Sequence, residues 1–365
     1  MTRFRGKLAL QQRVLAAYRA PFFDALAQAC DGGLSVFAGL PRPEESIAIT
    51  TQLRNTQYAA ASNIHLLNGA LYFYAQRGFL SWLADWNPDV LIVEANSRNL
   101  SIPAAIRWMK RRGRPVIGWG LGAPRRSALS RWRGAYLRRF DALLTYSRRG
   151  AEEYTALGFP ADRIFVAPNA AAPRPAHPLP ERPPRFQGRP CILFVGRLQA
   201  RKRLDDLLHA CASLPENIRP RLVIVGDGPE RAALESLAKT IYPSAEFTGA
   251  KHGADLRPYF LAADLFVLPG TGGLAVQEAM SWGLPVVMGE GDGTNDDLVR
   301  PGNGWQAKGP GALAAALAEA LADISRLRRM GAESYRIVSE EINIENMVRV
   351  FVQALNYTSR GNSGL

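Results

Sequence analysis

Short apolar runs rich in β-branched residues alternate along this chain with stretches of helical period. In the first half the pattern predicts strands at Lys7–Gln12, Leu34–Gly39, Asn63–Gly69, Asp89–Ala95, Pro115–Gly120, Ala142–Ser147 and Arg163–Pro168. Helices are predicted between them, at Ala20–Cys30, Leu71–Asp85, Ile102–Arg112, Leu129–Arg139 and Arg148–Leu157. The second half repeats the pattern, with strands at Cys191–Gly196, Arg221–Gly226, Ala245–Gly249, Asp264–Leu268 and Pro285–Gly289. Continuously apolar strands alternating with helices imply a parallel sheet covered on both faces. Ligands of such sheets bind beyond the carboxyl ends of the strands. The loops Arg13–Arg19, Asn96–Arg98 and Trp119–Gly122 are therefore expected on one crevice.

The pattern breaks once, at the proline-rich stretch Ala170–Pro190. Proline at this density continues neither a helix nor a central strand, so the stretch reads as a semi-stiff linker. The expected organisation is a first α/β domain over 1–170, the linker over 171–190 and a second α/β domain over 191–340. A last segment, 341–365, follows. It opens on an amphipathic helix, Ile344–Tyr357, with Ile344, Met347, Val348, Phe351 and Leu355 at helical spacing. The polar tail Thr358–Leu365 is expected to be disordered. A chain of 365 residues is long enough for two such cores.

Charge changes the picture on one side only. Residues 1–169 hold 23 Lys and Arg against 11 Asp and Glu, and the remainder holds 22 against 21, so nearly all of the +13 net charge lies in the first half. An anionic partner is expected there. The basic stretches Arg107–Pro115 and Arg125–Phe140 interleave arginines with Trp108, Trp132, Tyr136 and Phe140. Arg131, Trp132, Arg133, Arg138 and Arg139 suit a peripheral contact with anionic lipid. Solvated helix faces with aromatics turned into the core account for the same pattern. Three cysteines without paired or metal-ligand spacing fit a reducing compartment, and no run approaches the roughly 18 apolar residues of a membrane span. The expected location is cytoplasmic, extending to peripheral contact with the inner face of the cytoplasmic membrane, with no nucleic-acid partner.

Candidate chemistry concentrates in Ala263–Glu290, ADLFVLPGTGGLAVQEAMSWGLPVVMGE. It reads as a buried strand, a glycine-rich turn, a short helix and a second buried strand. Small residues at such a turn let backbone N–H groups approach a ligand, and the helix N-terminus favours an anion such as a phosphate. Glu278, within the first turns of that helix, is placed to accept hydrogen bonds from ribose hydroxyls. Upstream, GRLQARKRLDDLL holds Arg197 and Lys202 in a strand-to-helix loop, where two cations suit a diphosphate or an ordinary solvated surface. VGDGPERAAL, from Val225, offers either a ligand contact or a turn that shapes the cleft. Gly270-x-Gly272-x-x-Ala275 also fits a dinucleotide fingerprint, but it follows the fourth strand of its half rather than the first.

Taken together, GR with Lys202, VGDGP, ADLFVLPG and GGLAVQEAMSWGLPVV resemble the C-terminal half of glycosyltransferase family 4, enzymes of the GT-B fold. YRAPFF, TYSRRGAEEYTALGFPADRIFVAPNA and DGTNDDLVRPGNGW extend the resemblance over most of the chain. The resemblance implies two Rossmann-like domains facing across a cleft, with the last helix crossing back to the first. It implies retaining transfer from a nucleotide-diphosphate sugar, UDP- or GDP-linked, to a glycan or lipid-linked acceptor, without a metal or other cofactor. Arg197, Lys202 and Glu278 would be the catalytic set, with the two cations on the diphosphate and Glu278 on the ribose. Gly196, Lys251, Gly270, Thr271, Gly272, Gly273 and Leu274 would bind the donor. Arg13, Arg19, Asn96, Arg98 and Trp119 would bind the acceptor.

Two departures stand out. The family's Glu-x7-Glu pattern has Gly270 in place of its first glutamate, which approaches the transferred sugar. The loop after Pro115–Gly120 lacks the family's frequent histidine, so the sequence names no general base. A front-face path in which the leaving phosphate takes the acceptor proton needs none. A catalytically silent partner subunit that binds nucleotide or glycan is the alternative reading.

Overall fold

The computed structural model describes residues 2–45, 47–67, 69–122, 130–271, 274–289 and 297–360. The chain divides into two compact units, one of Met1–Pro173 with Ile344–Leu365 and one of Arg174–Asn343.

The first unit contains β1 (Leu8–Val14), β2 (Leu34–Gly39), β3 (Gln57–Ala60), β4 (Ser62–Leu66), β5 (Phe73–Arg77), β6 (Val90–Glu94), β7 (Val116–Gly120), β8 (Ala142–Thr145) and β9 (Ile164–Val166). Seven of these form a sheet in the order β3-β2-β1-β6-β7-β8-β9, with every neighbouring pair parallel. Successive side chains of a strand face opposite sides, and both sides are packed here. In β6, Val90 and Ile92 join a core with Phe22 and Phe351, while Leu91 and Val93 join one with Ile102 and Met109. This two-sided burial is why the strands read as continuous apolar runs.

One part of the expected pattern is corrected. Asn63–Gly69 does not enter the parallel sheet, and Leu71–Asp85 is not one helix. β4 and β5 instead form an antiparallel hairpin, with His65 opposite Tyr74 and Asn63 opposite Gln76, and β3 takes the sheet edge. The reason lies in alternation: Tyr74 and Gln76 are buried while their neighbours are more exposed, a two-residue period that suits a strand. The helix is only Phe79–Trp86. It starts after Gly78 (φ 83°) and ends at Asn87 (φ 51°), both in the left-handed region.

The last helix runs Ile344–Arg360 and buries Ile344, Met347, Val348, Phe351 and Leu355 in the first unit's core. Phe351 meets Phe22 and Trp119 edge-on, with centroids 4.9 and 5.0 Å apart. Thr358–Arg360, expected to be disordered, continue the helix. Thr358 is buried and its hydroxyl donates to the Ala354 carbonyl, closing another turn. Residues 361–365 lie outside the described set.

The second unit contains β10 (Cys191–Val195), β11 (Arg221–Val225), β12 (Glu246–Phe247), β13 (Leu265–Leu268), β14 (Val286–Met288) and β15 (Gly304–Gln306). They form a parallel sheet in the order β12-β11-β10-β13-β14-β15. β15 was not legible in the sequence, being three residues long with glycine at its start. The proline-rich stretch packs on this unit. His177 stacks on Trp282 with centroids 4.1 Å apart, and the Arg182 guanidinium donates to the carbonyls of Phe260 (2.9 Å) and Trp282 (2.8 Å).

Candidate functional site

In each sheet the strand order reverses once: between β10 and β13 in the second unit, and between β1 and β6 in the first. Loops leaving such neighbouring strands diverge to opposite faces and open a crevice at the carboxyl ends. Most of the predicted donor and acceptor residues fall at these two places, and each place is taken by itself.

In the second unit, the loops are held by backbone packed on backbone. A Cβ on Gly226 would lie 1.9 Å from the Gly196 carbonyl oxygen, and one on Gly270 would lie 2.1 Å from that of Arg201. Neither position admits a side chain as the loops stand. Hydrogen bonds fix the same contacts, from Gly196 N–H to Val225 O (3.0 Å), Leu198 N–H to Asp227 O (2.9 Å) and Thr271 N–H to Arg201 O (3.0 Å). The VGDGP segment therefore packs on and supports the Arg197 loop, which is what its reading as a shaping turn requires.

On this frame Arg197 is exposed and Lys202 is half-buried, with its ammonium donating to the Thr271 carbonyl at 2.7 Å. The loop after β10 and the turn after β13 are thereby joined through Lys202 as well as through their backbones. Glu278 is half-buried on the helix Leu274–Ser281. Burial pushes its carboxyl above the ordinary carboxylate value, and no described residue donates a hydrogen bond to it. Leu274 is exposed at the start of that helix, and Lys251 is half-buried after β12. Gly272 and Gly273 lie outside the described residues. Two cations at the loop after β10, with a carboxylate on the helix after β13, form a set that can hold a diphosphate and a diol.

In the first unit, Arg13, Asn96, Arg98 and Trp119 line a single pocket of about 510 Å³ together with Gln12, Glu94 and Gly120–Gly122. The carboxyl end of β1 and the loop after β6 thus meet at one pocket, beyond the strand ends as the strand pattern implied. Arg19 does not line it. It is buried behind the pocket, with its guanidinium 5.3 Å from the Trp119 ring and 5.2 Å from the Tyr146 ring, where it supports aromatic packing.

Two pocket residues were missed by the sequence reading. Glu94 ends β6 and accepts hydrogen bonds from the Arg13 backbone N–H (2.8 Å) and the Tyr74 hydroxyl (2.6 Å). Its carboxyl is raised by burial, against the opposing pull of those hydrogen bonds and of the Arg13 charge. The Arg13 guanidinium is itself paired with Glu45 at 2.8 Å. Arg133, assigned from sequence to the membrane-facing group, lines the same pocket and is half-buried. Within the rest of that stretch, Tyr136 and Phe140 are buried in the core, whereas Arg131, Trp132, Arg138 and Arg139 are exposed.

The three cysteines are buried and unpaired, and burial raises Cys191 to about 11 and Cys30 and Cys211 to about 12, which leaves them protonated thiols. Among the described residues no group of His, Cys, Asp and Glu could hold a metal ion, and no helix is long and apolar enough to cross a membrane.

Comparison with known proteins adds to this geometry. Residues 178–337 match the family model of the group 1 glycosyl transferases, and residues 41–170 match a glycosyl transferase 4-like domain. A GDP-mannose-dependent α-mannosyltransferase of Mycobacterium tuberculosis is 42% identical over 117 residues, which cover 31% of this chain and 29% of that protein. The chain therefore spans less than a third of that relative. The lipopolysaccharide core biosynthesis glycosyltransferase LpsE of Rhizobium meliloti is 26% identical over 318 residues, 75% of this chain and 87% of that protein. Among solved structures, Anabaena HepE in complex with UDP and glucose superposes with a TM-score of 0.61 at 16% identity, covering 96% of this chain and 99% of that one. At that identity the likeness concerns the fold.

Proposed function

The chain belongs to the group 1, family 4-type glycosyltransferases of the GT-B fold, and on that premise we propose that it transfers a sugar from a UDP- or GDP-linked donor to a glycan or lipid-linked acceptor. The observation that carries this reading is the grouping of Arg197, Lys202 and Glu278 around the β10/β13 reversal, with Lys202 bonded across to the turn. The diphosphate would lie against Arg197 and Lys202, and the ribose against Glu278. Preorganised cations at a departing phosphate stabilise the charge that develops as the glycosidic bond breaks. Transfer with retention follows if the leaving phosphate takes the acceptor proton on the same face, and no metal is called for.

The acceptor side rests on the first unit's pocket and on the basic balance of residues 1–169. The likeness to a lipopolysaccharide core enzyme supports a surface polysaccharide or glycolipid as the product. The inner membrane face is the proposed place of work. Calorimetry of UDP, GDP and ADP with wild type and Glu278→Ala tests the donor half. One nucleotide should bind tightly to the wild type and lose that affinity in the variant, whereas a wild type that binds none sinks the reading.

A further inference from the structure

The first-unit pocket holds more than the loop residues that its position implied. Glu94 closes β6 with its carboxylate fixed on one side by the Arg13 backbone N–H and on another by the Tyr74 hydroxyl. Its own backbone N–H donates to the Gln11 side chain (3.1 Å), which in turn bonds Gln76 of β5 (2.6 Å). Gln76 continues the network to Asn63 (3.0 Å) and receives Asn99 (3.2 Å). The β4–β5 hairpin is thus tied to the sheet by buried amides, and it delivers Tyr74 to Glu94. A carboxylate oxygen carries two lone-pair sites, so two donors leave Glu94 with acceptor capacity beside the pocket.

The pocket also offers donors and ring faces. Arg133 Nη1 and Trp119 Nε1 are buried, and neither has a hydrogen-bond partner among the described residues. Such orphaned buried groups are uncommon and ask for a reason, such as a ligand. Tyr136, Tyr146 and Tyr154 line the walls, all raised by burial, Tyr154 to about 12, so they stay neutral phenols. The other charges at hand are Arg13 with its partner Glu45, and Arg98. A carboxylate acceptor, unpartnered N–H donors and aromatic walls within about 510 Å³ match a hydroxylated sugar ring.

Resting on the transferase reading and on this pocket as its acceptor side, we propose that Glu94 and Arg133 are the groups that recognise the receiving sugar, Glu94 accepting a hydrogen bond from one of its hydroxyls and Arg133 donating to one of its oxygens. Tyr74 and the Arg13 backbone act as positioning groups for the Glu94 carboxylate. The role requires the ionised form, so turnover at limiting acceptor falls as pH drops through the raised Glu94 value.

The test uses the full-length enzyme, a radiolabelled sugar donor, and a total glycolipid extract of the source organism's membranes as acceptor. Glu94→Gln should raise the acceptor KM about 10- to 100-fold, the size expected for losing a charged hydrogen bond. It should also abolish the acid limb of kcat/KM and leave nucleotide affinity and Tm unchanged. Glu94→Asp, which keeps the charge on a shorter stem, should recover the acid limb. Arg133→Gln should raise the acceptor KM without changing that limb. Wild-type acceptor kinetics in Glu94→Gln overturn the proposal while the donor reading stands. Loss of nucleotide binding in wild type is the separate outcome that overturns the donor reading itself.

Discussion

Gly270 lies so close to the Arg201 backbone that a Cβ there would meet the Arg201 carbonyl oxygen at 2.1 Å. In the resemblance this is the position of the family's first glutamate. Its replacement is therefore more than the loss of one carboxylate, because the loop after β10 and the turn after β13 close onto each other in the space a side chain would need. Gly270→Ala should destabilise the protein by about 1–3 kcal/mol, the usual cost of overpacking. It should also weaken nucleotide binding, because the Arg201–Lys202 loop must move. Gly270→Glu should not gain activity. Thermal melts and calorimetry check both, and a Gly270→Ala variant with wild-type Tm and affinity refutes the packing argument.

Lys202 and Arg197 are expected to act on the leaving diphosphate. Changing either to Ala should lower transfer about 100- to 1,000-fold, the scale for removing one electrostatic stabiliser of a transition state. Far-ultraviolet circular dichroism and Tm should change little, because Arg197 is exposed and the Lys202 ammonium bonds a loop carbonyl outside the sheet core. Near-wild-type turnover in both variants removes the clamp.

Glu278 carries a pH signature. Burial raises its carboxyl, so the neutral form persists to a higher pH than for an ordinary carboxylate. Ribose hydroxyls donate to the ionised form. Nucleotide affinity should therefore be full above the raised value and fall as pH drops through it. Glu278→Gln should bind weakly at every pH and show no such limb. Calorimetry across the acid range reads this directly; an unchanged limb in the variant assigns it to another group.

The exposed cations Arg131, Arg138 and Arg139 remain as the surface group beside half-exposed Trp132, which is 51% accessible. Replacing the three with Gln should reduce sedimentation with vesicles containing anionic lipid, by about 1 kcal/mol for each charge near the surface. Arg133 is left intact so that the first-unit pocket is undisturbed. Sedimentation equal to wild type would make this a solvated helix face.

The sequence by itself determined the parallel two-unit architecture, because strands buried on both faces must read as apolar runs wherever they lie. It also brought forward the proposed donor-side residues, since Arg197, Lys202, Gly270 and Glu278 sit in short local segments whose spacing is visible along the chain. The last helix was legible for the same reason: a face at helical spacing has only to find a core. Tertiary structure decided the rest. The Gly270–Arg201 contact joins loops far apart in sequence, so a substitution that looked like a deletion of chemistry is a packing choice. Glu94 was read only as the end of a strand. Its meaning comes from Tyr74 on a hairpin whose aromatic run reads as helix until the sheet edge claims it, and from the Arg13 backbone one strand over. Arg133 and Arg131 are near neighbours on one helix, and only the fold turns one toward a pocket and the other to solvent. Local pattern fixes elements and loop chemistry, whereas which polar groups share a cavity depends on contacts between distant segments that no local pattern encodes.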